Sequence, residues 1–182
     1  MNIWRNNKFA FVVMLVMIIA GTLIGSHNTL AGMREEGAAV FVAGIKGDGI
    51  GIQGDLNERD AAAHNMVTIA RKYLPEDNAV IQQVIKARAD LAAAASVAEK
   101  VKADKALDSA VKDLYQVLAA AKLSAQDEKY PQRIYTEFRS RGDTISHDPY
   151  NQVAADFNKK LSAFPAGLLG GLTGVKPLEL FQ

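Results

Sequence analysis

The sequence predicts an all-α protein: an N-terminal transmembrane helix followed by an elongated antiparallel helical bundle. Three observations predict it. A run of seventeen uncharged residues, Phe9 to Gly25, lies near the start of the chain. Downstream, apolar residues recur three and four positions apart in successive stretches divided by short turns, the spacing of helix faces. Alanine is abundant and aromatics make up only 7% of the 182 residues, a composition that favours helices over a β-sandwich.

The apolar run is the first element. At 1.5 Å rise per residue it covers roughly 25 Å, near the lower limit for crossing hydrocarbon. Trp4 stands where an interfacial aromatic belongs, and Arg5 and Lys8 precede the run, whereas Arg34 beyond it is offset by Glu35 and Glu36. The positive-inside rule then keeps the amino end cytoplasmic and the main domain outside. A cleaved signal peptide is the competing reading. Its apolar core would be long for that role, and the best cut, after Ser26, sets bulky Ile24 at the −3 position. The expected organisation is a membrane anchor over residues 1–27, touching lipid through residues 9–25. A juxtamembrane helix and glycine-rich break over 28–56 follow, and then the bundle over 57–182.

Within the bundle, Ala62, Met66, Ile69 and Tyr73 make one face of a first helix, with Asp55 or Asn57 as its cap and Leu74-Pro75 as its end. Pro75, Glu76 and Asp77 suit the first turn of a second helix carrying Val80, Val84 and Leu91. That helix runs into the alanine tract LAAAASVAEKVKA, which reads as a close helix–helix contact. A third stretch from about Asp104 alternates Leu107, Val111, Leu114, Leu118 and Ala121 against Lys105, Asp108, Lys112, Asp113 and Gln116. Tyr130-Pro131 marks a corner or kink. Ile134, Phe138 and Ile145 continue on a fourth stretch that Gly142-Asp143 weakens. Asp148-Pro149 then starts a last helix with the face Tyr150, Val153, Ala154, Phe157, Leu161 and Phe164. Turns this short are best satisfied by antiparallel neighbours.

Conventional chemistry is sparse. With 21 basic and 20 acidic residues the net charge is +1, so nothing draws the chain to nucleic acid. The absence of cysteine excludes disulfides and thiolate metal sites, and three histidines at 27, 64 and 147 make a poor metal set. Gly49 to Gly54 matches G-x-G-x-x-G, but the second strand and acidic residue of a dinucleotide fold are missing; no cofactor is expected. The glycine-laced segment 38–54 reads either as a flexible break or as a self-association or membrane contact through Val40, Phe41, Val42, Ile50 and Ile52. His64 and Asn65 beside the first helix's core face, and His147 with Asp148, read as structural pairs.

The segment RDAAAHNMVTIARKYLPEDNAVIQQVIKAR, then KYP and YNQVAADFNKKLSAFP, resembles the LemA family of bacterial proteins. The resemblance takes in the anchor and most of the chain from Arg59 to Phe181. It implies one amino-terminal membrane helix, an elongated antiparallel helical domain and no established enzymatic activity. The matching positions are Asn28, Arg59, Asn65, Tyr73, Arg88, Tyr130, Pro131, Tyr150, Asn151, Phe157, Asn158, Phe164 and Pro165. Glu58-Arg59 and Ala61 to Asn65 depart from the family's usual Arg-Arg and Asp-Leu-Ile-Pro-Asn, the mark of a divergent member.

Tyr150, Phe157 and Phe164 are seven apart, and Asn151 and Asn158 form a parallel row. A half-buried amide needs a partner across the bundle. Arg59 and Asn65 are the expected partners, in a register-setting polar seam comparable to a buried coiled-coil asparagine. Tyr73, Tyr130, Tyr150, Phe157 and Phe164 form the expected aromatic seam. The functional expectation is a membrane-anchored helical scaffold or interaction protein without catalytic activity. It self-assembles into homo-oligomers in a bacterial envelope and meets other envelope proteins. The alternatives are a membrane-shaping protein using segment 38–54, and a ligand-binding or enzymatic bundle centred on Arg59, His64 and Asn65.

Overall fold

The computed structural model describes residues 7–45 and 51–182, and its regular structure over those residues is entirely helical. In chain order the helices are α1 (Asn7–Ala43), α2 (Ile52–Ala70), α3 (Ala79–Ala93), α4 (Val97–Ala120), α5 (Tyr130–Ser146), α6 (Tyr150–Ser162) and α7 (Ala166–Thr173). They divide into two compact units. One holds the described residues up to Ala39 with Gln152–Leu178, the other the described residues of Val40–Asn151 with Glu179–Gln182.

In the first unit, residues 7–22 of α1 are exposed all round, and no Asp, Glu, Lys or Arg stands between Lys8 and Arg34. A helix apolar on every face and covered by none of the described residues belongs in lipid or in another protein. Among the described residues α1 alone is long and apolar enough to cross a membrane. Thr22 and Thr29 donate their hydroxyls to the carbonyls of Ile18 and Gly25 (2.8 and 2.9 Å), so neither donor is left facing an apolar surrounding. Leu30, Ala154, Phe157, Leu161 and Leu178 are the buried apolar side chains of this unit. Glycines permit the close approach: a Cβ on Gly37 would stand 2.7 Å from Leu178 Cδ1. Trp4 and Arg5 lie outside the described residues.

In the second unit α2 packs chiefly on α5 and α3 on α4. Ile52, Leu56, Met66, Ile81, Val84, Leu107, Val111, Leu114, Leu118 and Phe138 are wholly buried between them. The faces read for α2 and α4 are those that turn inward.

Several boundaries differ from the expectation. The chain leaves α3 at Ala93, and α4 starts at Val97, seven residues before Asp104, because Ser96 and Glu99 form a reciprocal capping box. Asn78, and not Pro75, opens α3, its Oδ1 accepting from Val80 N at 3.0 Å. Ala38 to Ala43 continue α1 and are no part of a flexible break. The helix ends on Gly44, whose φ of 73° suits a residue without Cβ, with its N–H donating to Val40 O at 2.9 Å.

The glycine motif acquires a structural reason. A Cβ on Gly51 would stand 2.6 Å from Phe41 O and 2.7 Å from Val40 O, so glycine lets the start of α2 abut the end of α1. A Cβ on Gly54, inside α2, would meet nothing within 4 Å among the described residues. Gly47, Gly49 and Ile50 lie outside the described residues. Gly51→Ala is expected to cost about 1–3 kcal/mol through overpacking, whereas Gly54→Ala is neutral or stabilising by up to ~1 kcal/mol. Urea unfolding of the two variants in the same detergent checks this difference in sign.

Candidate functional site

The second unit is organised around Arg59. This α2 side chain is 3% exposed, and it reaches two neighbouring helices. Its Nε donates to Asp104 Oδ1 (2.8 Å) and its Nη2 to Asp108 Oδ1 (3.0 Å), both on α4. Nη1 donates to the Phe138 carbonyl of α5 (3.2 Å), and the guanidinium lies 3.9 Å above the Phe138 ring. Gly142 makes the room, since a Cβ there would overlap Arg59 Nη1. A planar fork with five donors suits such a hub, and a lysine ammonium does not. Burial pushes the Asp104 carboxyl above its ordinary range, and the Arg59 charge and hydrogen bond pull against that rise. One turn before Arg59, Asp55 is 2% exposed. Its Oδ1 accepts from Arg141 Nη1 at 3.3 Å, while Oδ2 has no hydrogen-bond partner among the described residues.

Asparagines 151 and 158 do not meet Arg59 or Asn65. Each nitrogen of Arg59 already donates to one of the two aspartates or to a carbonyl, and Asn65 faces outward on α2. Each asparagine instead clamps the backbone of the closing segment, residues 175–182, which has no regular secondary structure. In the first unit Asn158 Nδ2 donates to Leu178 O and its Oδ1 accepts from Leu178 N, both at 2.8 Å. In the second, Asn151 does the same to Phe181 O and N, both at 2.7 Å.

A primary amide offers the one donor and one acceptor that a backbone N–H and C=O require.

The second unit adds three contacts to the same segment. Tyr150 OH donates to Glu179 O (2.7 Å), and Glu179 Oε2 accepts from Ala98 N in the first turn of α4 (2.9 Å), where a carboxylate suits the helix dipole. The Phe181 ring lies 6.0 Å from that of Phe41, which also meets Tyr150 edge-on at 5.1 Å.

A third cluster joins the turn after α2 to the α4–α5 connection. Tyr73 OH donates to Asp127 Oδ2 (2.8 Å) and accepts from Ser124 N (3.2 Å), and Lys72 Nζ lies 3.1 Å from the same carboxylate oxygen. The hydrogen bonds from Tyr73 and then Lys72 hold the Asp127 carboxyl below its ordinary range. Arg88 pairs with both oxygens of Asp60 (2.8 and 2.9 Å) and lies 3.2 Å from His64 Nδ1.

Other expected residues scatter. Tyr130 is half-buried, with the Arg133 guanidinium 5.1 Å from its ring. Phe157 is buried, but Phe164 is 88% exposed because α6 ends at Ser162, so it leaves the aromatic seam. Phe41 and Ile52 are buried in the second unit's core and Val40 is half-buried, which leaves Val42, 61% exposed, as the described part of the expected contact surface. Asp104, Asp108 and Asp127, together with the closing segment, were not anticipated as partners. The four-residue spacing of the first two on one side of α4 was the available signal.

This arrangement of α2 to α6 and the closing segment coincides with a family match. The LemA family model matches residues 50–182. The chain belongs to the LemA family. The matched residues begin after α1, so the family pattern covers α2 through the closing segment, with Arg59, both asparagines and their partners inside it. No curated protein matches this LemA member in sequence.

Asn151→Asp and Asn158→Asp each remove the donor and set a carboxylate against a carbonyl. Each is expected to cost about 1–3 kcal/mol and to speed hydrogen exchange at Phe181 and Leu178 respectively, with the helices unchanged.

Asp127 generates a pH prediction. Its folded pKa is depressed, so its contribution is present above the unfolded value and is lost as pH falls through the folded one. The wild type is expected to lose stability more steeply than Asp127→Asn as pH drops below about 4, measured by urea midpoints.

Proposed function

We propose that this chain is a membrane-anchored helical scaffold that acts by contact rather than catalysis, and that its copies assemble with one another. The observation that supports it most is the fate of the strong hydrogen-bonding groups. Arg59 spends its donors on Asp104, Asp108 and the Phe138 carbonyl. Asn151 and Asn158 spend both amide groups on the closing segment, and the Tyr73 hydroxyl is spent on Asp127. A ligand using these residues would first have to break those bonds, and charged ones contribute about 1.5–3 kcal/mol each.

Self-assembly draws on the outer face of α3 and α4. Ala93, Ala94 and Ala106 line shallow grooves there, flanked by Lys86, Asp90, Lys102 and Asp113. Small side chains let a second helix pair approach, and interspersed charges of both signs suit a patch that faces its own copy. An anchor confining copies to one bilayer raises their effective concentration. In this reading the membrane is bacterial, with the amino end cytoplasmic and the helical domain outside, where envelope proteins are further partners.

Counting copies per particle by light scattering after gentle detergent extraction tests the assembly. More than one copy is expected, and Ala106→Glu, at an exposed position shared by both grooves, is expected to shift particles toward monomer without loss of helix. A wild type that stays monomeric at every concentration contradicts it.

A further inference from the structure

The first unit carries a second apolar surface besides α1. The residues before and within α7 leave Phe164 88%, Leu168 60% and Leu172 67% exposed. A short helix in water would turn such residues inward. Its small side turns inward instead: Gly170 is buried, and a Cβ there would stand 2.6 Å from Leu161 Cδ1 and 3.6 Å from Leu30 Cδ1 of α1. Leu168 and Leu172 each lie two residues from Gly170, about 160° around the helix, so they project away from α1 into whatever surrounds it at that level.

The level follows from α1 itself. Leu30 comes five residues after Gly25, the last residue of the uncharged apolar run, and so lies about 7.5 Å further along the axis. The headgroup region on each side of the hydrocarbon is about that thick. An interfacial helix buries its apolar face to a depth of about 5–10 Å at this boundary. Charge agrees with the placement. Between Asp156 and Glu179 the chain carries Lys159, Lys160 and Lys176 and no acidic residue, and Lys159 and Lys160 are exposed in the last turn of α6.

We propose that α7 is a lipid-contacting helix, dipping Phe164, Leu168 and Leu172 into the bilayer interface beside α1, with the lysines against anionic headgroups. This rests on α1 being the membrane span. It gives the scaffold a second membrane contact, contributed by the opposite end of the chain, and the pair of contacts fixes the tilt and rotation of the first unit on the surface, which a single helix leaves free.

The chain has no cysteine, so single-cysteine variants of the full protein report cleanly. Leu168→Cys, Leu172→Cys, Ile18→Cys and Ser140→Cys are spin-labelled, reconstituted into phosphatidylcholine–phosphatidylglycerol vesicles, and probed with oxygen and a water-soluble nickel chelate. The Leu168 and Leu172 labels are expected to meet oxygen over nickel several-fold more often than the label at Ser140, exposed on α5. Labels at 168 and 172 as open to nickel as Ser140 overturn the proposal. Protection from both reagents also overturns it and assigns the face to a protein neighbour. Ile18 separates the premises: a nickel-accessible label there removes the span itself, whereas an oxygen-rich Ile18 beside water-exposed 168 and 172 removes only the α7 contact. Should a label disturb α7, Leu168→Trp in a Trp4→Phe background gives a second measurement. Quenching by lipids brominated near the headgroup supports the contact, and quenching only by aqueous iodide contradicts it.

Discussion

A buried guanidinium sets the terms of the helical unit. Arg59 lies 3% exposed between α2, α4 and α5, and taking its charge out of water is tolerable only if that charge is paired and each nitrogen finds an acceptor. Asp104, Asp108 and the Phe138 carbonyl meet that demand from two other helices, and Gly142 keeps the space clear. A shift of any of the three helices by one residue would move the partners out of reach and leave a charge unpaired. Apolar faces such as Leu107, Val111, Leu114 and Leu118 supply the cohesion, but they tolerate sliding. The ion cluster does not, and so it specifies register.

The asparagines of α6 solve a different problem, that of holding a segment with no regular structure of its own. Such a segment has N–H and C=O groups that must be satisfied. Asn158 in one unit and Asn151 in the other each satisfy one residue's pair. Because the bonds go to the backbone, they depend hardly at all on the side chains of the residues they clamp. The aromatics of the same helix are used unevenly: Tyr150 and Phe157 are buried, and Phe164 is left on the surface.

Much of the fold was legible in the sequence because a helix face repeats locally. The faces of α2, α4 and α5 turned inward as their spacing implied. Local rules also explain the misses. The start of α4 was hidden in an alanine tract, where only Ser96 and Glu99 carry the boundary. The glycine motif resembled a nucleotide loop, yet Gly51 serves backbone approach to Phe41 and Val40. Partner choice was least legible. Arg59 and Asn151 both need partners, and nothing in their spacing distinguishes a distant aspartate from the backbone of the closing segment. That distinction comes from tertiary geometry alone.

Family membership and the candidate site point the same way, since the LemA match spans α2 to the closing segment and includes both the Arg59 hub and the amide clamps. The claim on which the account turns is that these polar residues hold the helices in register. A double-mutant cycle between Arg59→Met and Asp104→Leu, read by urea unfolding of the full chain in detergent, measures it directly. A coupling energy of about 2 kcal/mol or more is predicted. Effects that add to within about 0.5 kcal/mol would contradict the account.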